Sequence, residues 1–307
     1  MKAMRVLQWG QPLTLEEIPQ PVPSSDEVLV RVHAASVNPF DTFVQLGYMQ
    51  ALFSTPLTLG TDFAGEVAAV GAEITHVKPG DAVYGLVPMH PGSFAEYVIA
   101  KPNEVAHKPK TLNYVEAAGL PLASLAAYQS AYDLGQVRKG ERVLIIGAGG
   151  AVGTVAVQLS RELGAQVYSA DLPEKIPFIR ELNPDYCIDV KAERYEDVCG
   201  PVDLVLDFVG GENLQRSFSV LKPGGRYVTS LVLPQQQEEA DRRGIQVAGL
   251  ATQPRVDHLE DLARRVDAGQ LKTFINRTFP LTEAQAAIQF RQESTNPGKV
   301  VLTVTAD

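Results

Sequence analysis

Two cysteines, Cys187 and Cys199, are too few for a disulfide framework or a cysteine-rich zinc site. No apolar run approaches the roughly 18 residues of a membrane-spanning helix, and the N-terminus carries no signal-peptide pattern. Basic residues are outnumbered, 27 Lys and Arg against 36 Asp and Glu. The resulting charge of −9 argues against nucleic acid or an anionic membrane as partner. The five histidines form no spaced ligand pair. Internal repeats and low-complexity segments are lacking too. What these absences leave is a reduced, cytoplasmic, globular chain, and 307 residues suggest two domains.

The most informative stretch that is present starts at residue 142. Val143, Leu144, Ile145 and Ile146 form an unbroken apolar run, as in a parallel strand buried on both faces. Glycines follow at spacing three (Gly147, Gly150, Gly153), and a helical pattern begins with Val152, Val155, Ala156 and Leu159 on one face. Gly164 is placed to stop that helix. A strand that runs through glycines into a helix makes an anion site. No side chain blocks a phosphate, and the first N–H groups of the helix point at it. Gly147, Gly149, Gly150, Ala151, Val152 and Gly153 are therefore the candidate pyrophosphate contacts. The pattern is G-x-x-G-x-x-G rather than G-x-G-x-x-G, because Val152 holds the latter's last position.

Before this stretch, short β-like runs alternate with Pro and Gly: residues 4–7, 28–32 and 93–99, with a turn at Lys78-Pro79-Gly80-Asp81. Residues 115–134 have helical spacing and bridge into the second lobe. From Arg142 strand and helix alternate, the signature of a parallel α/β sheet. Further strands are expected at 166–170, 186–188, 204–208, 226–231 and 245–250, with Lys222-Pro223-Gly224-Gly225 as a turn before the fifth of the six. Val209 and Gly210 follow the fourth strand at its carboxyl end, where ligands of open α/β sheets bind; a plain glycine turn is an equal alternative. A helix at 256–268, a strand at 274–279 and a capping box, Thr282-x-x-Gln285, precede a last strand at 299–304. A return to strand character suggests that the C-terminus rejoins the first lobe. The expected division is 1–122 and 255–307 for the substrate domain, with a dinucleotide-binding domain at 123–254 inserted.

Six motifs in order along the chain carry a specific resemblance: Ser36-Val37-Asn38-Pro39-Phe40-Asp41, Gly60-Thr61-Asp62-Phe63-Ala64-Gly65, the stretch from Val77 to Gly85, the glycine turn and its helix, Asp207-Phe208-Val209-Gly210-Gly211, and Leu221-Lys222-Pro223-Gly224-Gly225-Arg226. The chain resembles the medium-chain dehydrogenase/reductase superfamily and, within it, the zinc-independent quinone oxidoreductase and enoyl reductase branch. The resemblance implies an α/β fold. A GroES-like β-rich domain would carry an inserted Rossmann domain with a doubly wound parallel sheet, and a cleft would lie between them. It also implies hydride transfer from a nicotinamide to a small-molecule quinone or enone, and a homodimer formed through the strand at 245–250.

Resemblance to zinc alcohol dehydrogenases would put metal ligands at Asn38, Thr61 and near Leu122. None of these supplies a thiolate or an imidazole, so no zinc is expected. The proton-relaying hydroxyl of those enzymes would fall at Phe40. Without a metal the acceptor must already be electrophilic, and the protein supplies orientation and a donor for the developing oxyanion. Asn38 is the first candidate for contact with nicotinamide or substrate, an Asx-type turn before Pro39 being the alternative. Tyr48 is the second, as a proton donor or a surface aromatic. Asp41 orients the loop. At the end of the second strand of the inserted domain, Asp171 suits a ribose 2′-hydroxyl and hence NADH. The branch is mostly NADPH-dependent, with Lys175 or Arg180 to pair with the 2′-phosphate, and NADPH is the expected coenzyme. The rival function is a nucleotide-binding protein without turnover.

Overall fold

The computed structural model of the chain describes residues 1–88, 92–211, 213–230 and 234–304. It divides into two compact units, one of Met1–Leu122, Pro254–Ser294 and Lys299–Asp307, the other of Ala123–Gln253 and Thr295–Gly298. No helix among the described residues is long and apolar enough to cross a membrane.

In the first unit the long strand Val28–Val37 is the spine. Its residues are nearly all buried, so it belongs inside a sheet with neighbours on both edges. It pairs antiparallel with Asp62–Val70, with Tyr97–Ala100 and with Lys299–Thr303, the last in the register Val300 opposite Val37. The full order is Ile275–Pro280, Lys299–Thr303, Val28–Val37, Asp62–Val70, Ala82–Leu86, Val105–His107. A smaller sheet joins Thr14–Glu17, Lys2–Val6 and Leu57–Thr58. Val30, Val32, Phe63, Val83, Phe94 and Leu302 fill the core. Bent, closely packed strands need glycine: a Cβ on Gly65 would lie 2.0 Å from the Arg31 carbonyl oxygen, and one on Gly85 2.0 Å from that of Glu104.

The second unit is a six-stranded parallel sheet. Its strands in chain order are Arg142–Ile146, Gln166–Asp171, Tyr186–Asp189, Val202–Asp207, Leu221–Thr229 and Gln246–Gly249. In space they run third, second, first, fourth, fifth, sixth, the doubly wound dinucleotide-binding order. The order reverses beside the first strand, so the crevice falls at its carboxyl end, where the glycine turn lies.

Three local expectations fail. Lys222-Pro223-Gly224-Gly225 is not a turn before the strand but lies within Leu221–Thr229. The pairing jumps there from Val202 opposite Leu221 to Leu204 opposite Arg226, and Gly224 takes φ +77° to absorb the extra residues. The capping box at Thr282 does not form. The Gln285 side chain accepts from Leu13 N–H at 2.9 Å and from Gln45 Nε2 at 2.7 Å, and the helix Ala284–Glu293 follows a 3₁₀ turn instead. The helical stretch at 115–134 is interrupted between Ala118 and Pro121 and finishes as a π-helical turn, Gln129–Leu134. Leu231, expected to end the fifth strand, lies outside the described residues.

The close approach at Gly65 is to backbone, which cannot swing aside. Gly65→Ala should therefore cost about 1–3 kcal/mol, read as a lower urea midpoint with an unchanged slope.

Candidate functional site

The polar centre of the first unit is a buried carboxylate. Asp62 opens the strand Asp62–Val70 and has no exposed surface. Its Oδ2 accepts from Ser36 Oγ at 2.5 Å, Asn38 Nδ2 at 2.9 Å and Lys299 Nζ at 3.1 Å, and its Oδ1 accepts from the Leu122 N–H at 2.8 Å. Lys299, the first residue of the C-terminal strand, is also buried and gives a second hydrogen bond to Asn38 Oδ1 at 2.5 Å. Asn38 Nδ2 in turn reaches Thr61 Oγ1 at 3.2 Å. The three positions where zinc ligands were sought, 38, 61 and 122, thus converge on one carboxylate and bond to it or to each other.

Asn38 is the N-cap of the helix Pro39–Gln45. Its backbone N–H donates to Asp41 Oδ2 at 2.7 Å, while its side chain turns inward, so Asp41 fixes the loop as expected. Burial pushes the Asp41 carboxyl up to about 7. The Asn38 N–H lowers it, the Asp62 charge adds to the rise, and the Lys299 ammonium and the Gly60 N–H oppose it. Tyr48 stands apart from this network. It is 71 % exposed, with its ring edge-on to Phe43 at 6.0 Å.

In the second unit the turn after Arg142–Ile146 is fully formed. Gly147 has φ +81°, and a Cβ there would meet Val209 Cγ2 at 2.9 Å. A Cβ on Gly153 would lie 2.1 Å from the Gly147 carbonyl oxygen. Four N–H groups of the turn are engaged: Gly147 and Ala148 with Ala170 O, Gly149 with Asp171 Oδ2, and Gly150 with Gly147 O. The first helical bond of Ala151–Glu162 is Thr154 N–H to Gly150 O. The N–H groups of Ala151, Val152 and Gly153 therefore have no acceptor among the described residues, and they form the bare helix N-terminus that a pyrophosphate requires.

Asp171 is 7 % exposed and turned inward. Besides Gly149 it accepts from Leu172 N–H at 2.8 Å, and Lys175 Nζ lies 3.5 Å from its Oδ1. The stem of Lys175 crosses the turn so closely that a Cβ on Gly149 would meet it at 2.8 Å. Val209 is 64 % exposed. Its N–H and that of Gly210 are both held by Asp207 Oδ1, at 2.9 and 2.8 Å, and Asp207 Oδ2 accepts from Tyr227 Oη at 2.8 Å. Val209 and Gly210 are thus a carboxylate-clamped turn.

The network partners Lys299, Asp207 and Tyr227 escape local reading. A lysine heading an apolar strand was the one signal for Lys299; nothing near it in sequence indicates a partner 261 positions away.

Two family models match: an alcohol dehydrogenase GroES-like domain over residues 24–110 and a zinc-binding dehydrogenase over residues 182–302. The chain is 33 % identical to the NAD(P)H oxidoreductase RTN4IP1, mitochondrial, of Homo sapiens, an alignment covering 97 % of this chain and 86 % of that one. It is 28 % identical to the quinone oxidoreductase of Mus musculus, over 98 % and 97 %. Among solved structures, the quinone oxidoreductase from Coxiella burnetii superposes with a TM-score of 0.92 at 31 % identity, covering 99 % of both chains. The CurK enoyl reductase does so with a TM-score of 0.89 at 27 %, again over 99 % of each.

Asp41 yields a pH dependence of known sign. Its folded value of about 7 exceeds the ordinary 3.8, so the folded chain binds more protons between these values. Its stabilising contribution is complete at low pH and is lost as pH rises through about 7. Asp41→Asn should therefore gain on the parent in urea midpoint from pH 4 to pH 7 and level off above; parallel pH profiles would contradict this.

Proposed function

Because the chain belongs to the medium-chain dehydrogenase/reductase superfamily, we propose that it is a zinc-independent reductase that moves a hydride from NAD(P)H to a quinone or an α,β-unsaturated carbonyl. A bound reduced nicotinamide would supply the hydride; the chain's own residues bind, orient and donate hydrogen bonds. The pyrophosphate would rest on the N–H groups of Ala151, Val152 and Gly153.

The closed network at Asn38, Thr61 and Leu122 carries the metal-free reading. The residues there offer an amide, a hydroxyl and a backbone N–H, and the charges they meet are the Asp62 carboxylate and the Lys299 ammonium, already paired at 3.1 Å. That carboxylate is already filled by the ammonium, by two side-chain donors and by a backbone N–H, so a dication could take it only by breaking these bonds. The zinc-binding dehydrogenase model, for its part, matches residues that include none of these three positions. With no Lewis acid, the acceptor must be polarised by conjugation. Relatives whose names include quinone oxidoreductase and 2-methylene-furan-3-one reductase support such acceptors.

The coenzyme in this reading is NADPH, with Lys175 facing the 2′-phosphate; NADH is the alternative that Asp171 favours. The two residues are coupled, since the cation a phosphate would use is already 3.5 Å from a carboxylate. Tyr48 would return a proton to an enone, and the open edge of Gln246–Gly249 would join two subunits. A second reading, cofactor binding without turnover, draws on the saturated amide of Asn38 and the exposure of Tyr48.

Mixing the protein with NADPH or NADH and a panel of quinones and enones, and following nicotinamide absorbance, decides between the two. Oxidation that persists in chelator supports the reductase; tight coenzyme binding with no oxidation across the panel supports the silent protein. Asp171→Asn should release Lys175 and raise affinity for NADPH relative to NADH about tenfold or more, a shift of about 1.4 kcal/mol measured by fluorescence titration. An unchanged ratio would remove the pair from coenzyme choice.

A further inference from the structure

The hydrogen bonds around Asp62 have a direction that is fixed by chemistry. An ammonium has no lone pair, so the Asn38 atom 2.5 Å from Lys299 Nζ must be the amide oxygen. The amide nitrogen then faces Asp62 and Thr61 and donates to both. Because Thr61 Oγ1 accepts from Asn38, its own hydrogen must point elsewhere. No acceptor for that hydrogen exists among the described residues. The third hydrogen of Lys299 is also unengaged, but the ammonium sits at the opposite end of the chain of bonds, behind Asn38. The other donors of the cluster are engaged inside it: Ser36 Oγ and the Leu122 N–H end on Asp62, and Asn38 Nδ2 ends on Asp62, on Thr61 and, at 3.4 Å, on the Ser36 carbonyl oxygen. The series Lys299, Asn38, Thr61 therefore begins on a positive charge and terminates in a hydroxyl with one hydrogen to give, and each bond polarises the next.

We propose that the Thr61 hydroxyl is the donor this site offers to the carbonyl oxygen of the quinone or enone acceptor, with Asn38 and Lys299 as positioning residues behind it. This rests on the reductase reading. As hydride reaches the acceptor carbon, two electrons move toward the carbonyl oxygen and the nicotinamide is oxidised. Thr61 stabilises the developing oxyanion by a hydrogen bond and loses no proton; the proton that completes the reduction comes from Tyr48 on an enone and from water on a quinone. Asn38, whose amide is fully engaged within the cluster, acts through Thr61 and does not touch the acceptor. Side chains that lack this terminal hydrogen fail at position 61, whatever their fit.

The test uses the full-length protein with a quinone that the parent reduces. Thr61→Val keeps the shape and removes the hydroxyl; it should lower kcat about 100-fold, the effect of deleting one oxyanion donor, with coenzyme affinity unchanged. Thr61→Ser, which restores the hydrogen, should recover most of that loss. Asn38→Leu should lower kcat in the parent but by no more than about twofold when Thr61 is already Val. The coenzyme titration reports folding in every variant. Thr61→Val within twofold of the parent overturns the proposal, as does a Ser variant as slow as the Val variant with coenzyme binding intact. If the parent oxidises neither coenzyme with any acceptor, the reductase reading itself falls and takes the proposal with it.

Discussion

One carboxylate without any exposed surface organises the first unit. Asp62 is stabilised by the Lys299 ammonium, by two side-chain donors and by a backbone N–H, and these come from three separate stretches of the chain. A buried ion in a medium of low dielectric is tolerable only when it is paired and its lone pairs are filled. That condition ties the end of Val28–Val37, the N-cap of Pro39–Gln45, the residue Leu122 and the C-terminal strand to fixed places. The hydrophobic core around Phe63 and Val30 gives the unit its bulk; the carboxylate decides its register at the site. Burial likewise raises the neighbouring Asp41, because desolvation disfavours its charged form, and repulsion from Asp62 adds to the rise.

The second unit uses carboxylates differently. Asp171 and Asp207 end two strands of the parallel sheet, and each accepts backbone N–H groups of the turn beside it. Both hold glycine-bearing turns at the carboxyl ends of their strands. Asp171 closes the glycine turn by binding Gly149, and its partner Lys175 then lies across that turn. In the proposed reading, coenzyme preference would therefore be inseparable from the integrity of the turn. A substitution chosen to alter one alters the other.

The glycine turn, the sixfold alternation and the return of the last strand to the first unit were all legible, because each depends on local periodicity or on a motif only a few residues long. The ranges expected for the inserted strands differ from the observed ones mainly at their ends. The failures are of one kind. Thr282 and Gln285 have capping spacing, but Gln285 bonds instead to Leu13 and Gln45, which a local pattern cannot register. Pro223 and two glycines read as a turn, yet strand pairing on both sides draws them into a bulge. At the site the contributing motifs were visible and their connections were not. Asn38 could be chosen as a functional amide, but not the fact that its amide is saturated, since its partners include a lysine at the other end of the chain.

The hydrogen count links the two units. In each, most polar hydrogens near the site are engaged internally, which gives rigidity, and a few remain. Among these are, in the second unit, the N–H groups of Ala151, Val152 and Gly153 and, in the first, the Thr61 hydroxyl and one N–H of Lys299. A buried donor without an acceptor costs about 1–3 kcal/mol, and in the proposed reading a ligand would recover that cost at both places. The three backbone donors, at the positive end of a twelve-residue helix, suit a diffuse anionic charge. A single hydroxyl, backed by an amide and an ammonium, suits one oxygen atom that becomes anionic only as electrons arrive. In the proposed reaction the first arrangement would bind in the ground state, and the second would gain strength along the reaction, which is the condition for a contact to accelerate it.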